Sequence, residues 1–328
     1  MFSREIDGLL KNIVYNKEVF MNNNRDYTVT TIEEYVDVLK TIQSIEQNPL
    51  WYRGQMTSFW HLDPTLFRDN LCYETTDHYG TLIIPKSRTH RECGQEVSFP
   101  NQFTMLKVFK DEVIKNNLEP ACKMNDMEWL CFAQHYGMPT SLLDWTEDPM
   151  VGLFFAINGI QLPINESNID DEARVYIINP YVYNGYCNCI VKSNNGESKR
   201  LTEPLPVCDS TNKFLIDYSR NDYLPICIKS KKLGYRMCRQ SGNFMFYSSQ
   251  IKPIDTYSST EINKFMYTIH IPYSEVSYFS SCLNVLNLNN SSIYGETTEL
   301  DIAGNTAKES GERQIYKILE TIKASINS

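Results

Sequence analysis

Residues 129–158, WLCFAQHYGMPTSLLDWTEDPMVGLFFAIN, leave this chain few ways to fold. Trp129, Leu130 and Ala133 recur at helical spacing. Gly137 and Pro139 then stop the helix, because glycine accepts a left-handed end and proline cannot extend the hydrogen-bond ladder. SLLDW follows as a short strand. Asp148 caps a new helix whose first position is Pro149, where a missing N–H costs nothing. Helix, tight loop, strand and capped helix in so short a run bring His135, Asp144 and Trp145 close together, a spacing suited to a pocket wall.

The rest of the pattern is mixed helix and strand, an α+β chain without repeats or heptads. Residues 31–47 open with a Thr31/Glu34 capping box and set Ile32, Tyr35, Val36, Leu39, Ile42 and Ile45 on one face. WYRGQ at 51–55 reads as a short strand stopped by Gly54, and the chain stays extended to Pro64. Residues 95–117 read as a long helix, and Asp126 as the N-cap of the next. Strands are predicted at 173–179, 242–247 and 265–271. Residues 184–213 look irregular, an insertion. A polar link at 289–311, the best place for mobility, precedes a closing amphipathic helix. The predicted organisation is an N-terminal helical extension over 1–29, a main domain over 30–300, and a linker and helix over 301–328.

Several classes are disfavoured. The ten cysteines are scattered without a CxxC pair, the usage of reduced thiols, and Cys187 with Cys189 lacks two further zinc ligands at sensible spacing, so no metal is expected. A net charge of −9 opposes non-specific nucleic-acid binding, leaving only the local basic runs at 86–91 and 229–236. No apolar run approaches the roughly 18 residues of a membrane span, and a cytoplasmic protein is expected. P-loop, Rossmann, GxSxG and HExxH signatures are absent.

WYRGQ, LDPTLFR, the 129–157 block, ARVYII and RQSGNFMFY occur in the order and approximate spacing of the FRG domain family, which this chain resembles over roughly residues 30–300. It departs at Ser141, where the family usually has arginine. The layout also resembles ADP-ribosyltransferases, which implies a split β-sheet core with surrounding helices and an open cleft for NAD. That likeness is one of fold, and the chemistry has to be argued from the site.

The resemblance implies an NAD-dependent ADP-ribosyltransferase with NAD as substrate. The modified partner would be a macromolecule, RNA favoured narrowly over protein. The setting implied is a bacterial toxin of a toxin–antitoxin or anti-phage system, with an antitoxin protein as a further partner. Arg53 would anchor the pyrophosphate with a planar fork that stays charged, and Gly54 would let phosphate or ribose approach the backbone. Tyr52, Gln55, Tyr136, Thr140 and Trp145 complete the expected NAD site. Gln240 stands where such enzymes commonly carry glutamate, and an amide can bond a ribose hydroxyl but cannot act as base. His135 and Asp144 are then the groups for proton transfer and charge stabilisation.

Structural readings stand beside these. Arg53 could pair with a buried carboxylate such as Asp144, His135 could serve the helix dipole, and Trp145 and Tyr136 could be core aromatics. A non-catalytic nucleotide- or RNA-binding module and an NAD hydrolase are the competing functions.

Overall fold

The computed structural model describes residues 25–68, 75–76, 82–84, 100–161, 171–192, 198–221, 223–232, 238–248, 252–262 and 264–326. In chain order the elements are β1 (Asp26–Thr28), α1 (Ile32–Ile45), β2 (Trp51–Gln55), a 3₁₀ turn at Thr65–Phe67, β3 (Thr75–Thr76), β4 (Leu82–Ile84), α2 (Gln102–Lys115), α3 (Asp126–Gln134), β5 (Leu142–Thr146) and α4 (Pro149–Ile157). There follow β6 (Glu172–Ile178), α5 (Pro180–Cys187), β7 (Ile190–Lys192), β8 (Ser198–Arg200), β9 (Leu205–Pro206), α6 (Asp209–Tyr218), β10 (Ile226–Lys229) and β11 (Gly242–Phe246). The chain closes with a 3₁₀ turn at Ile254–Thr256, α7 (Ser259–Ile262), β12 (Met266–Pro272), α8 (Val276–Val285), α9 (Asn290–Tyr294) and α10 (Glu299–Ile326).

Eight strands make one mixed sheet in the order β1-β12-β6-β2-β5-β11-β10-β9. Its outer pairs, β1 with β12 and β9 with β10, are parallel, and the inner pairs are antiparallel. Side chains on a strand alternate between faces, so a sheet covered on both sides reads as a continuous apolar run. In β6, Val175 and Ile177 enter a core beneath α1, α4 and α8, while Tyr176 and Ile178 enter a second core that includes Phe109, Phe132 and Phe244. Trp51 and Tyr52 divide in the same way.

The pairing of β2 is unequal. It matches β6 at five positions, from Trp51 opposite Ile178 to Gln55 opposite Arg174, but meets β5 only where Tyr52 faces Thr146. Beyond that point the strands part and a cleft begins.

Local chemistry accounts for the helix starts. Asp148 accepts from the backbone N–H groups of Met150 and Val151, as predicted. The cap of α3 is Asn125, not Asp126: Asn125 and Glu128 form a reciprocal capping box. In α1, Thr31 caps Glu34 N–H, but the Glu34 carboxylate turns to Thr30, so the box is shared between two threonines. Its buried face is Tyr35, Val38 and Ile42, and Ile45 is exposed. The long helix predicted over 95–117 starts at Gln102, capped by Asn101; residues 95–99 lie outside the described residues.

Three predicted boundaries are corrected. Residues 26–28 form β1 and pair with β12, so they belong to the sheet and not to a separate N-terminal extension; residues 1–24 lie outside the described residues. Residues 184–213 contain strands, helix and an edge of the main sheet. Buried Asn184 donates to the Cys227 carbonyl at 2.9 Å and accepts from its N–H at 2.8 Å, standing in for a strand neighbour. The link at 289–311 is helical: α9 and α10 occupy most of it. Polar residues and glycine suggested a loop, but Gly311 lets α10 lie close to Met105 of α2, and Gln314 Oε1 accepts from Asn101 N–H at 3.0 Å. Among the described residues, no helix is long and apolar enough to cross a membrane.

At the β1 edge, His270 Nδ1 lies 2.8 Å from Glu172 and Nε2 lies 3.4 Å from Asp26. The hydrogen bond to Asp26, then that to Glu172, raises the imidazole above its ordinary 6.5 despite burial. Its contribution to stability is therefore complete below the unfolded value and is lost as pH rises through the folded one. His270→Gln should lower the melting temperature at about pH 5.5, with the deficit shrinking toward about pH 9; thermal denaturation across that range checks it.

Candidate functional site

The parting of β2 from β5 opens a cleft of about 320 Å³. Tyr52, Arg53, Gly54 and Met56 come from β2 and its exit, Asp144, Trp145 and Thr146 from β5, and Gln134 and His135 from the end of α3. Phe155 and Asn158 of the α4 region, Gln240 and Gly242 before and at β11, and Tyr294 of α9 complete the lining.

Arg53 crosses the opening. Its Nη1 donates to the Asp144 backbone carbonyl at 2.8 Å, replacing the strand-to-strand bond that the divergence removes. The ion pair between Arg53 and the Asp144 carboxylate is not formed. Nε of Arg53 is buried without a hydrogen-bond partner among the described residues, a donor left to be satisfied. Arg53 keeps some exposed surface, yet burial pushes its guanidinium down to about 10; Asp144 opposes that shift and Arg68 adds to it. It remains a cation at neutral pH.

Asp144 is held from the other side. Gln134 Nε2 donates to its Oδ2 at 3.0 Å, and Thr140 Oγ1 donates to Gln134 Oε1. Thr140 also accepts from Leu142 N–H at 3.1 Å and is fully buried. Thr140 thus does not line the cleft: it positions Gln134, which positions Asp144. Oδ1 of Asp144 has no hydrogen-bond partner among the described residues.

His135 stands at the C-cap of α3, its ring packed on Phe244 with centroids 5.6 Å apart and lying where a side chain at Gly242 would meet it. Gln240 is part-exposed, and its amide has no hydrogen-bond partner among the described residues. The following Ser241 takes φ 45°, a left-handed turn that leads the chain into β11. His135, Asp144 and Gln240, remote or merely near in sequence, share one cleft.

Other predicted residues move. Tyr136 packs on Phe132 with centroids 4.9 Å apart and lies outside the cleft lining. Trp145 lines the cleft but is only 2% exposed, so it is a core wall without an open stacking face. Gln55 lines an adjoining cavity instead. Ser141 is also elsewhere: with Gln102, Arg220 and Tyr247 it lines a separate cavity of about 450 Å³, so the departure at this position leaves the cleft untouched. Gln134 was missed although it adjoins His135, and Tyr294 carries no local signal; it reaches the site by packing on Phe155 at 5.9 Å.

The basic run at 86–91 lies outside the described residues, as do residues 233–237 of the second. Lys229 pairs with Glu147 at 3.0 Å and Lys231 with Glu128 at 2.5 Å, so these two charges are already engaged. Among the described residues, no group of three or more His, Cys, Asp and Glu is placed to hold a metal ion.

Gly54 has a packing reason beside the one expected. A Cβ there would lie 2.2 Å from both Ala156 N and Gly152 O, so β2 and α4 pack backbone to backbone. Gly54→Ala should cost roughly 1–3 kcal/mol or more of folding stability, whereas Gly185→Ala, with nothing within 4 Å of its added carbon, should be neutral or stabilising. Urea denaturation of the two variants measures the contrast.

No curated protein and no solved structure matches this chain. The FRG domain family model matches residues 48–163, a stretch that holds the cleft residues from Tyr52 to Asn158 and leaves Gln240 and Tyr294 outside. Over residues 48–163, the chain carries an FRG domain.

Proposed function

We propose that the cleft binds NAD and that the protein is an ADP-ribosyltransferase acting on a macromolecule, within an ADP-ribosyltransferase-like split-sheet core. The observation that carries this reading is Arg53: a cationic fork at a strand divergence, with a buried Nε donor unpartnered and an Asp144 carboxylate in the same cleft. A pyrophosphate oxygen meets such a donor with a charge-assisted hydrogen bond, stronger than one to water or a neutral ligand.

In the reaction, the bond between C1′ of the ribose and the nicotinamide nitrogen breaks, and nicotinamide leaves with the electron pair. Positive charge develops on the ribose, where the negative Asp144, oriented by Gln134, stabilises it. A nucleophilic oxygen or nitrogen of the acceptor then bonds to C1′ and gives up its proton, for which His135 is the acceptor of choice. Gln240 bonds a ribose hydroxyl and orients the sugar. RNA is the first acceptor to test, protein the second, in the setting of a bacterial toxin or defence protein.

Gln240 also favours a second reading, a nucleotide-binding module without turnover, since an amide replaces the carboxylate usual in such transferases. Incubation with NAD labelled in its adenylate phosphate and total cell lysate, followed by separate RNase and protease digestion, decides. Label lost only with RNase identifies RNA, and label lost only with protease identifies protein. Label recovered only as free ADP-ribose means hydrolysis, and unchanged NAD together with NAD binding in isothermal titration means binding alone. Arg53→Lys keeps the charge and loses the fork, so labelling should fall about 10- to 100-fold, while the lost bond to the Asp144 carbonyl should cost about 1–3 kcal/mol of stability and leave the variant folded in thermal denaturation. A variant that unfolds instead would make the guanidinium a structural bridge only.

A further inference from the structure

Next to the cleft lies a second chamber of about 560 Å³, and the two share Arg53, Gly54, Met56 and Phe155. Its far side carries Phe59 and Trp60, which are 75% and 51% exposed. Two adjacent aromatics this exposed at the rim of a chamber form an apolar patch of the kind that marks a ligand-binding surface.

The segment that presents them is pinned. Tyr273 Oη donates to the Met56 carbonyl at 2.5 Å, and Gln55 Nε2 donates to the His61 carbonyl at 2.9 Å. Asp255 holds the far end, accepting from Leu62 N–H at 2.8 Å and contacting His61 Nδ1 at 2.8 Å. The aromatics therefore stand on a braced segment, which lowers the ordering cost of binding.

The chamber's polar groups are also specific. Gln55 is 5% exposed, and its Oε1 is buried without a hydrogen-bond partner among the described residues. Arg68 lines the chamber beside Arg53, so two guanidinium forks meet there, with Asp63 in the lining and the Asp144 carboxylate acting on both from the inner side. A flat ring to cover Trp60, a donor for Gln55 Oε1 and an anion between Arg53 and Arg68 together describe a nucleoside 5′-phosphate with an exocyclic amine.

We propose that this outer chamber takes the adenosine 5′-phosphate half of a dinucleotide, the base on Trp60 and Phe59 and the pyrophosphate at Arg53 where the chambers join. This rests on the dinucleotide reading of the inner cleft, and it assigns the ligand's second half to residues that reading does not use. The inner 320 Å³ then needs to hold only the nicotinamide ribose half.

Isothermal titration of the full chain with AMP and, separately, with nicotinamide mononucleotide tests the division. Trp60→Ala alters an exposed side chain and should leave the fold intact. Its AMP affinity should fall about 5- to 100-fold, as expected for one lost stacking contact, with nicotinamide mononucleotide binding unchanged. Equal loss for both mononucleotides, or none for AMP, overturns the assignment. So does a single-stranded RNA octamer that binds more than about tenfold tighter than AMP and depends on Trp60, because the chamber would then be a strand path. Trp60-dependent AMP binding without macromolecular labelling supports the chamber and refutes the transferase. Labelling with an unchanged KM for NAD in Trp60→Ala does the reverse.

Discussion

The site depends on one hydrogen bond, from Arg53 Nη1 to the carbonyl of Asp144. Where β2 and β5 separate, each loses the ladder partner that a sheet normally supplies, and a buried carbonyl without a donor is costly. A lysine could bring charge to that place, but not a fork able to hold the far strand while keeping another N–H for a ligand. The same guanidinium therefore closes the sheet and lines the opening.

The two walls of the cleft are kept rigid by different means. On the β2 side, Gly54 allows α4 to lie directly against the strand backbone, fixing Phe155 and Asn158. On the β5 side, buried Thr140 and Gln134 set the orientation of the Asp144 carboxylate. The outer chamber follows from the first arrangement, because the chain leaving β2 turns through Met56 and is tied down at Tyr273, Gln55 and Asp255.

Much of this was legible in residue order. The cap at Asp148, the strand around Asp144 and the end of α3 at His135 rest on short-range chemistry, and each stands within a residue or two of its predicted place. The errors came where tertiary contacts override local character. Residues 184–213 looked like an insertion because their polar groups have no local partners, yet Asn184 finds its partner in Cys227. The segment at 289–311 looked like a linker because it is rich in small and polar residues, yet Gly304 and Gly311 permit close helix packing.

The sequence by itself determined the mixed α+β character, the main breaks and caps, and the set Arg53, His135, Asp144 and Gln240 from which the cleft is built. Only the tertiary structure decided that Arg53 meets the Asp144 carbonyl and not its carboxylate, that Gly54 serves helix packing, that Thr140 acts through Gln134, and that Tyr294 and Trp60 border the site. The physical reason is range. Caps, breaks and periodicity are written within a few residues, whereas a strand divergence is defined only when segments distant in the chain compete for the same hydrogen-bonding edge.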